Sequence, residues 1–269
     1  MAGPSNASGP VLWSVDARGV ATVTLNRPEV NNAYDGALIE GLLAALDALG
    51  GVTGLRAVVI KGNGKHFQAG ADLKWIDAVR TSSAEENVRV SHATAQAVAR
   101  LNRVPVPVIA LVQGGCFGGG TGLIAACDVV IAADNAVFSI AEVRWGLTAA
   151  IIVPQLKDAI GVRQLRRYGL TGERFNAQEA RRIGLVHDVV PLPELAAAGE
   201  RVVGHVLENA PDAIAQTKAL TVQSAFGDLD EAAFAALIES HAKKRQSSEA
   251  VEGLASFAEK RPAKWTPKS

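Results

Sequence analysis

The chain is poor in cysteine and balanced in charge, and both features exclude classes of site. It has two cysteines in 269 residues. Cys116 and Cys127 belong to no Cys-x-x-Cys or Cys/His metal pattern, so we expect reduced thiols, a cytoplasmic protein and no metal site. The 27 basic and 27 acidic residues cancel, so the basic excess that nucleic-acid binding needs is missing. Because no apolar run approaches the ~20 residues of a membrane helix, we predict a soluble protein.

Strand and helix patterns alternate along the chain after a polar start. Residues 1–10 lack the basic and apolar parts of a secretory signal, and we expect a flexible tail there. Val11–Val15 and Val20–Leu25 predict a hairpin. Leucines at helical spacing predict a helix over residues 38–49, with Asp35 as its N-cap. Further strands are predicted at 57–60, 106–112 and 129–132, with a helix over 84–102. This alternation indicates an α/β fold with parallel strands.

Strand patterns stop near Leu192, and the remaining segments are rich in alanine and leucine at helical spacing. Their apolar positions fall on several helix faces, so these helices need a surface to pack against. We therefore divide the chain into a tail (1–10), an α/β core (11–191) and a helical C-terminal region (192–269).

Two glycine-containing segments, about fifty residues apart, each precede a predicted helix. They are Phe67-Gln68-Ala69-Gly70-Ala71-Asp72 and Phe117-Gly118-Gly119-Gly120-Thr121-Gly122. Alone, the first is also typical of a strand–turn–helix junction without chemistry. The second leads into G-x-G-x-x-A over residues 120–125, a dinucleotide-binding pattern. The strand predicted at Val129 begins too early for that motif, which needs an acidic residue after a later strand.

Several motifs, in the same order along the chain, resemble the crotonase (enoyl-CoA hydratase/isomerase) superfamily. They are Leu25-Asn26-Arg27-Pro28, Val106-Pro107-Val108-Ile109-Ala110, Ala126-Cys127-Asp128, Leu170-Thr171-Gly172, Ile183-Gly184-Leu185-Val186 and Phe257-Ala258-Glu259-Lys260-Arg261. The resemblance implies a crotonase-like spiral of ββα repeats and a C-terminal helical oligomerisation region, packed against neighbouring subunits in a homotrimer or a dimer of trimers. It also implies an acyl-CoA thioester substrate and no cofactor, since coenzyme A is part of the substrate.

The resemblance assigns catalytic roles to three residues. Ala71 and Gly119 would donate backbone N–H groups to the thioester oxygen, where negative charge develops on enolisation. Glu142 would be the general acid/base, and an apolar pocket around it would raise its pKa toward the working pH. The remaining substrate-binding positions that we predict are Ala69, Gly70, Asp72, Gly118, Gly122, Arg144 and Trp145.

The chain departs from familiar enoyl-CoA hydratases at Gly122, where they carry a second glutamate. A single carboxylate suits either a hydratase in which Glu142 is both base and acid, or a Δ3,Δ2-enoyl-CoA isomerase. Hydratases of branched glutaconyl-CoA esters, such as methylglutaconyl- and isohexenylglutaconyl-CoA in leucine and terpene breakdown, also lack the second glutamate, and residues 139–154 resemble theirs. Arg144 is the candidate cation for a distal carboxylate. Dehalogenases are disfavoured, because their aspartate would fall at Ala150.

The resemblance also places coenzyme A. We expect its adenosine diphosphate near Glu29, Val30 and Asn31, near Lys74, and near Lys260 or Lys264 of the same or a neighbouring subunit. Glu29 stands where many relatives have lysine, which puts one phosphate contact in doubt. A catalytically silent acyl-CoA- or RNA-binding homologue is the alternative from another class. The zero net charge argues against RNA binding. The presence of Glu142 with both glycine segments argues against a catalytically silent protein.

Overall fold

The computed structural model describes residues 3–209, 211–226 and 231–261. The strands are β1 (Ser5–Asn6), β2 (Val11–Val15), β3 (Val20–Leu25), β4 (Ala57–Gly62), β5 (Val108–Val112), β6 (Gly115–Phe117), β7 (Val129–Ala133), β8 (Val137–Ser139), β9 (Phe175–Asn176) and β10 (Asp188–Val190). The helices are α1 (Gly36–Gly50), α2 (Leu73–Arg80), α3 (Ala84–Asn102), α4 (Gly119–Ala125), α5 (Val153–Thr171), α6 (Ala177–Arg182), α7 (Leu195–Leu207), α8 (Pro211–Phe226), α9 (Glu231–Arg245) and α10 (Ser248–Ala258).

Two sheets organise the core. The larger has the order β1-β2-β3-β4-β5-β7-β10, and the smaller has the order β6-β8-β9. From β3 to β10 the neighbours in the larger sheet pair in parallel, whereas β1, β2 and β3 pair antiparallel. The predicted hairpin and the predicted α/β architecture with parallel strands are therefore confirmed.

The central strands are buried on both faces, which explains their uninterrupted apolar sequences. Along β4, Val58 and Ile60 belong to the large core that α1 and α3 cover. Ala57 and Val59 point to the opposite face, which α7 covers. At the start of α1 the Asp35 carboxylate accepts a hydrogen bond from the Leu38 amide at 2.9 Å, as predicted for an N-cap.

The start of the chain differs from the predicted flexible tail. Ser5 and Asn6 form β1, which pairs antiparallel with Ser14 and Trp13 of β2. Backbone hydrogen bonds to an exposed sheet edge do not depend on side-chain pattern. A polar segment such as this one can therefore add a strand without any hydrophobic signal.

In the C-terminal region α9 and α10 pack against their own chain, and the expected packing of this region against neighbouring subunits stays a prediction. Helix α9 lies against α3, and α10 lies against the 3-10 turn Glu142–Trp145. Their apolar faces bury Ile238 and Leu254. These two helices therefore have a packing surface within one chain. No helix among the described residues is long and apolar enough to cross a membrane.

Gly253 is the point of closest approach between α10 and the 3-10 turn. A Cβ built on Gly253 would lie 2.3 Å from the carbonyl carbon of Trp145. Because backbone cannot move aside cheaply, we expect Gly253→Ala to lower the free energy of unfolding by roughly 3 kcal/mol and to reduce activity.

Gly204 in α7 provides the matched control, because a Cβ there meets nothing within 4 Å. We expect Gly204→Ala to stabilise by roughly 0.5–1 kcal/mol, the usual gain for this change inside a helix. Thermal unfolding of both variants measures the difference. If Gly253→Ala were as stable as Gly204→Ala, α10 would not need the close contact at Gly253.

Candidate active site

The first glycine segment is held by a short parallel bridge to the loop before α1. The Tyr34 amide donates to the Gly70 carbonyl at 2.8 Å, and the Asp72 amide donates to the Tyr34 carbonyl at 2.8 Å. In a parallel bridge the residue between these two partners turns its own amide the other way. The Ala71 N–H donates to no backbone group of the described chain. Gly70 makes the turn with φ +87°, in the left-handed region that favours glycine.

Asp72 fixes the direction in which the first glycine segment continues into α2. Its carboxylate accepts hydrogen bonds from the Lys74 and Trp75 amides at the start of α2, so Asp72 is the N-cap of that helix. It also lies 3.3 Å from Nη2 of Arg27, which in turn pairs with Asp35. The cap and the ion pair anchor the segment that carries Ala71.

The second glycine segment lies directly beside the first. The Phe117 amide donates to the Gln68 carbonyl at 3.0 Å, and the Gly118 amide donates to the Ser139 carbonyl at 2.9 Å. Gly119 is the first residue of α4, and its N–H also has no backbone acceptor in the described chain. Residues 120–125 lie inside α4, so they do not form the glycine-rich loop of a dinucleotide site.

Close packing explains why this segment is built from glycine. A Cβ on Gly118 would lie 3.2 Å from Oε1 of Glu142 and 3.9 Å from the Cα of Gly70. A Cβ on Gly119 would lie 2.7 Å from Cε1 of Tyr34. The two segments and the Glu142 carboxyl therefore meet around Gly118.

Glu142 opens the 3-10 turn Glu142–Trp145, immediately after β8. Its Oε2 is buried and has no hydrogen-bond partner in the described chain. Burial raises the pKa of Glu142 to about 7, and its own backbone amide offsets part of that shift. A carboxyl with a pKa near neutrality can both accept and return a proton at physiological pH.

A cavity of about 1090 Å³ contains this group of residues. Most of the predicted site residues line it: Val30, Ala69, Gly70, Ala71, Asp72, Lys74, Gly118, Gly119, Glu142, Arg144 and Trp145. Arg144 and Lys74 are exposed. The Trp145 ring packs edge-on against Phe257 of α10, with ring centroids 4.5 Å apart.

Other predicted residues lie elsewhere. Glu29, Asn31 and Lys260 are exposed and are not among the described residues that line the cavity. Asn31 is nevertheless connected to the site, because its carbonyl accepts from the Ala69 amide at 3.0 Å. Lys264 lies outside the described residues.

Gly122 was predicted to bind substrate, but its side of α4 is packed against Ile152. A Cβ on Gly122 would lie 2.1 Å from Cγ2 and 2.4 Å from Cβ of Ile152. Gly122 is buried and is not among the described cavity-lining residues, whereas Ile152 is. The space for a second glutamate is therefore filled by an apolar side chain.

Sequence reasoning missed several residues of the cavity, among them Tyr34, His241 and Arg245. Tyr34 carries no local motif, and only the fold brings its ring against Gly119. His241 and Arg245 did leave a signal, because they are four residues apart on α9 and share the helix face of the buried Ile238. A buried polar residue on an apolar helix face is an informative departure from the usual pattern.

Comparison with known proteins identifies the family. The chain matches the enoyl-CoA hydratase/isomerase family over residues 16–268. The chain belongs to this family. The mevalonyl-coenzyme A hydratase sidH of Aspergillus fumigatus is 33% identical over 256 residues, which cover 92% of each protein. The 2,3-dehydroadipyl-CoA hydratase of Escherichia coli is 32% identical over 250 residues, covering 90% of this chain and 93% of the relative.

Solved structures agree. An enoyl-CoA hydratase from Shewanella pealeana has a TM-score of 0.78 to this chain at 35% identity, covering 95% of this chain and 96% of that one. The crotonase-like fold predicted from the sequence is therefore confirmed. Membership of the enoyl-CoA hydratase/isomerase family also confirms the predicted enzyme class, a hydratase with the isomerases as its near alternative.

Proposed function

We propose that this enzyme adds water across the 2,3-double bond of an acyl-CoA thioester, with Glu142 as its single acid/base. The observation that supports this most is a buried carboxyl with a near-neutral pKa, beside two segments whose Ala71 and Gly119 amides have no backbone acceptor in the described chain. Ile152 fills the space where a second carboxylate would stand. One group must therefore handle both proton transfers.

In the proposed reaction the thioester oxygen accepts hydrogen bonds from the amides of Ala71 and Gly119. The Glu142 carboxylate takes a proton from water while the hydroxide adds to C3. The electron pair of the double bond then moves through C2 onto the thioester oxygen, forming an enolate. The protonated Glu142 returns its proton to C2, and the carboxylate is regenerated. Each such amide donor contributes roughly 2.7–4 kcal/mol to stabilising the charged oxygen.

The finer proposal is a branched glutaconyl-CoA substrate, such as methylglutaconyl- or isohexenylglutaconyl-CoA. The acyl part would enter the cavity, and the coenzyme A part would lie over Val30 and Lys74 at its exposed rim. Glu29, Asn31, Lys260 and Lys264 stay proposed contacts of the adenosine diphosphate. A homotrimer or a dimer of trimers stays the proposed assembly.

A Δ3,Δ2-enoyl-CoA isomerase is the second candidate. One carboxylate is sufficient to move a proton from C2 of a 3-enoyl ester to C4, and this site offers one. The isomerase needs no water beside Glu142, whereas the hydratase does. The two proposals therefore share the residues and differ in the product.

The deciding experiment is to incubate the enzyme with crotonyl-, 3-enoyl- and methylglutaconyl-CoA and to analyse the esters by chromatography and mass spectrometry. A gain of one water by a 2-enoyl ester supports the hydratase, and the preferred ester identifies the acyl class. Unchanged mass with altered retention of the 3-enoyl ester would replace the hydratase with the isomerase. Binding of every ester without turnover would favour a silent homologue.

A further inference from the structure

Arg245 is a buried cation that lines the same cavity as Glu142. Its side chain lies at the end of α9 with 1% of the residue exposed. Both hydrogen bonds that it makes to described residues leave from Nη2, one to the Asn87 carbonyl at 2.7 Å and one to the Ser91 hydroxyl. Its Nε is buried and has no partner in the described chain. The N–H donors of the Arg245 guanidinium are therefore only partly occupied by hydrogen bonds.

No carboxylate of the described residues pairs with Arg245. Its neighbours Asn87 and Ser91 are neutral, and burial lowers the pKa of His241 to about 3, so that side chain is neutral as well. Burial also lowers the pKa of Arg245, but only to about 10, so it stays charged at pH 7. A buried, unpaired charge is destabilising by several kcal/mol. A counter-charge supplied by a bound ligand would offset this cost.

The position of Arg245 suits the far end of an acyl chain. Arg245 and Glu142 line the same cavity. Tyr34 lies near both groups: burial raises the pKa of Tyr34 to about 12, the Glu142 charge adds to that shift and the Arg245 charge opposes it. The pKa of Glu142 is set by burial and by its own backbone amide. Arg245 is thus close enough to Tyr34 to shift the pKa of that phenol, and it is not among the groups that shift the pKa of Glu142. Apolar residues such as Leu123, Val98 and Ile152 line the same cavity.

We propose that Arg245 binds a second carboxylate at the distal end of the substrate's acyl chain, so the enzyme selects ω-carboxylated acyl-CoA esters over methyl-ended ones. This inference rests on the proposed function for the identity of the ligand as an acyl-CoA. An arginine with a free fork edge fits a carboxylate, because its planar N–H groups match the two oxygens. Arg144, the cation expected from the sequence, is exposed and keeps access to water.

Binding of saturated esters tests this inference without relying on catalysis. Adipyl-CoA and hexanoyl-CoA are a matched pair, as are glutaryl-CoA and pentanoyl-CoA, because each pair differs only in the terminal group. Calorimetric titration should give the wild type a Kd for the better-fitting carboxylated ester that is roughly tenfold to a hundredfold lower than for its methyl-ended partner. No preference at either length would overturn the proposal.

Substitutions test whether Arg245 causes the preference for carboxylated over methyl-ended esters. We expect Arg245→Gln to abolish it, Arg245→Lys to keep part of it, and Arg144→Gln to leave it in place. Far-ultraviolet circular dichroism checks folding, since Arg245 also joins α9 to α3. If Arg245→Gln fails to fold, Arg245→Lys decides, because a lysine that keeps the charge but loses the fork should retain only part of the preference. A full preference in either folded Arg245 variant, or its loss in Arg144→Gln, would contradict the assignment.

Experiment can distinguish failure of the proposed role of Arg245 from failure of the proposed hydratase reaction. A wild type that hydrates crotonyl-CoA but binds both members of each pair equally would keep the hydratase and lose the role of Arg245. A wild type that prefers adipyl- or glutaryl-CoA yet only shifts a double bond would keep Arg245 and lose the hydratase.

Discussion

Glu142→Gln is expected to lower kcat/KM for hydration by roughly a thousandfold or more, because one side chain performs both proton transfers. The amide has nearly the shape of the carboxyl but cannot take a proton from water at neutral pH. Binding of a saturated acyl-CoA should change little, since the cavity and the Ala71 and Gly119 amides stay in place. Steady-state kinetics with the preferred 2-enoyl ester measure the loss.

Glu194→Gln is the matched control. Glu194 is exposed in the 3-10 turn before α7 and lies outside the cavity. The same substitution there should leave kcat/KM within about twofold of the wild type, as expected for a surface change far from a site. A Glu142→Gln enzyme that keeps a tenth or more of the wild-type rate would remove Glu142 as the acid/base.

The pH dependence of the wild type follows from the same carboxyl. Glu142 must start as the carboxylate to take a proton from water, and the free-enzyme pKa governs kcat/KM. We therefore expect kcat/KM to rise as the pH passes about 7 and then to level off. Two carboxyls with separate base and acid roles would instead give a bell-shaped profile. A rate that already has its full value at pH 5 would contradict the raised pKa.

The stability of the folded protein should change with pH in the opposite direction to kcat/KM. The pKa of Glu142 is about 7 in the folded protein against 4.5 for the exposed group, so the folded state binds more protons between these values. The free energy of unfolding therefore falls as the pH rises from 4.5 to 7, by roughly 3 kcal/mol at about 1.36 kcal/mol per pKa unit. Glu142→Gln removes this effect, so denaturant unfolding should show it to be more stable than the wild type above pH 7 and equal near pH 4.5.

Most of the core fold could be predicted from sequence because its signals are local. The leucines of α1, the Asp35 cap and the apolar strands each follow from spacing alone. The pairing of Ser5 and Asn6 with β2 could not be predicted, because it depends on backbone hydrogen bonds to a sheet edge. Nor could the packing of α9 and α10 on their own chain, because an apolar helix face does not specify which surface it meets.

The residues of the candidate active site divide in the same way into those that the sequence predicts and those that only the structure reveals. Both glycine segments and Glu142 come together as the motifs indicated, because each motif lies at the end of a strand or the start of a helix in one core. Arg245 and Ile152 are brought in by tertiary packing, which no motif encodes. The sequence indicated that a second glutamate was missing at Gly122, whereas the reason, a side chain already occupying that space, required the structure.

Restoring the second glutamate by Gly122→Glu is expected to prevent stable folding. The new Cβ would lie 2.1 Å from Cγ2 and 2.4 Å from Cβ of Ile152, and Ile152 is itself 2% exposed. A contact with the Cβ of a neighbour cannot be relieved by rotating its side chain. Even Gly122→Ala should lower the free energy of unfolding by about 3 kcal/mol, at the upper end for overpacked cores. Thermal unfolding and soluble yield measure both variants.

Removing the competing Ile152 side chain should relieve the clash with a new Cβ at residue 122. Ile152→Gly deletes both contacting atoms and alone should destabilise by leaving a cavity. Combined with Gly122→Ala, it should cost less than the sum of the two single changes, because the added Cβ enters the vacated space. Additive effects would show that the two positions do not compete. Coupling would mean that adding a second acid/base requires two simultaneous changes, so that packing of α4 against Ile152 holds this enzyme to a single glutamate.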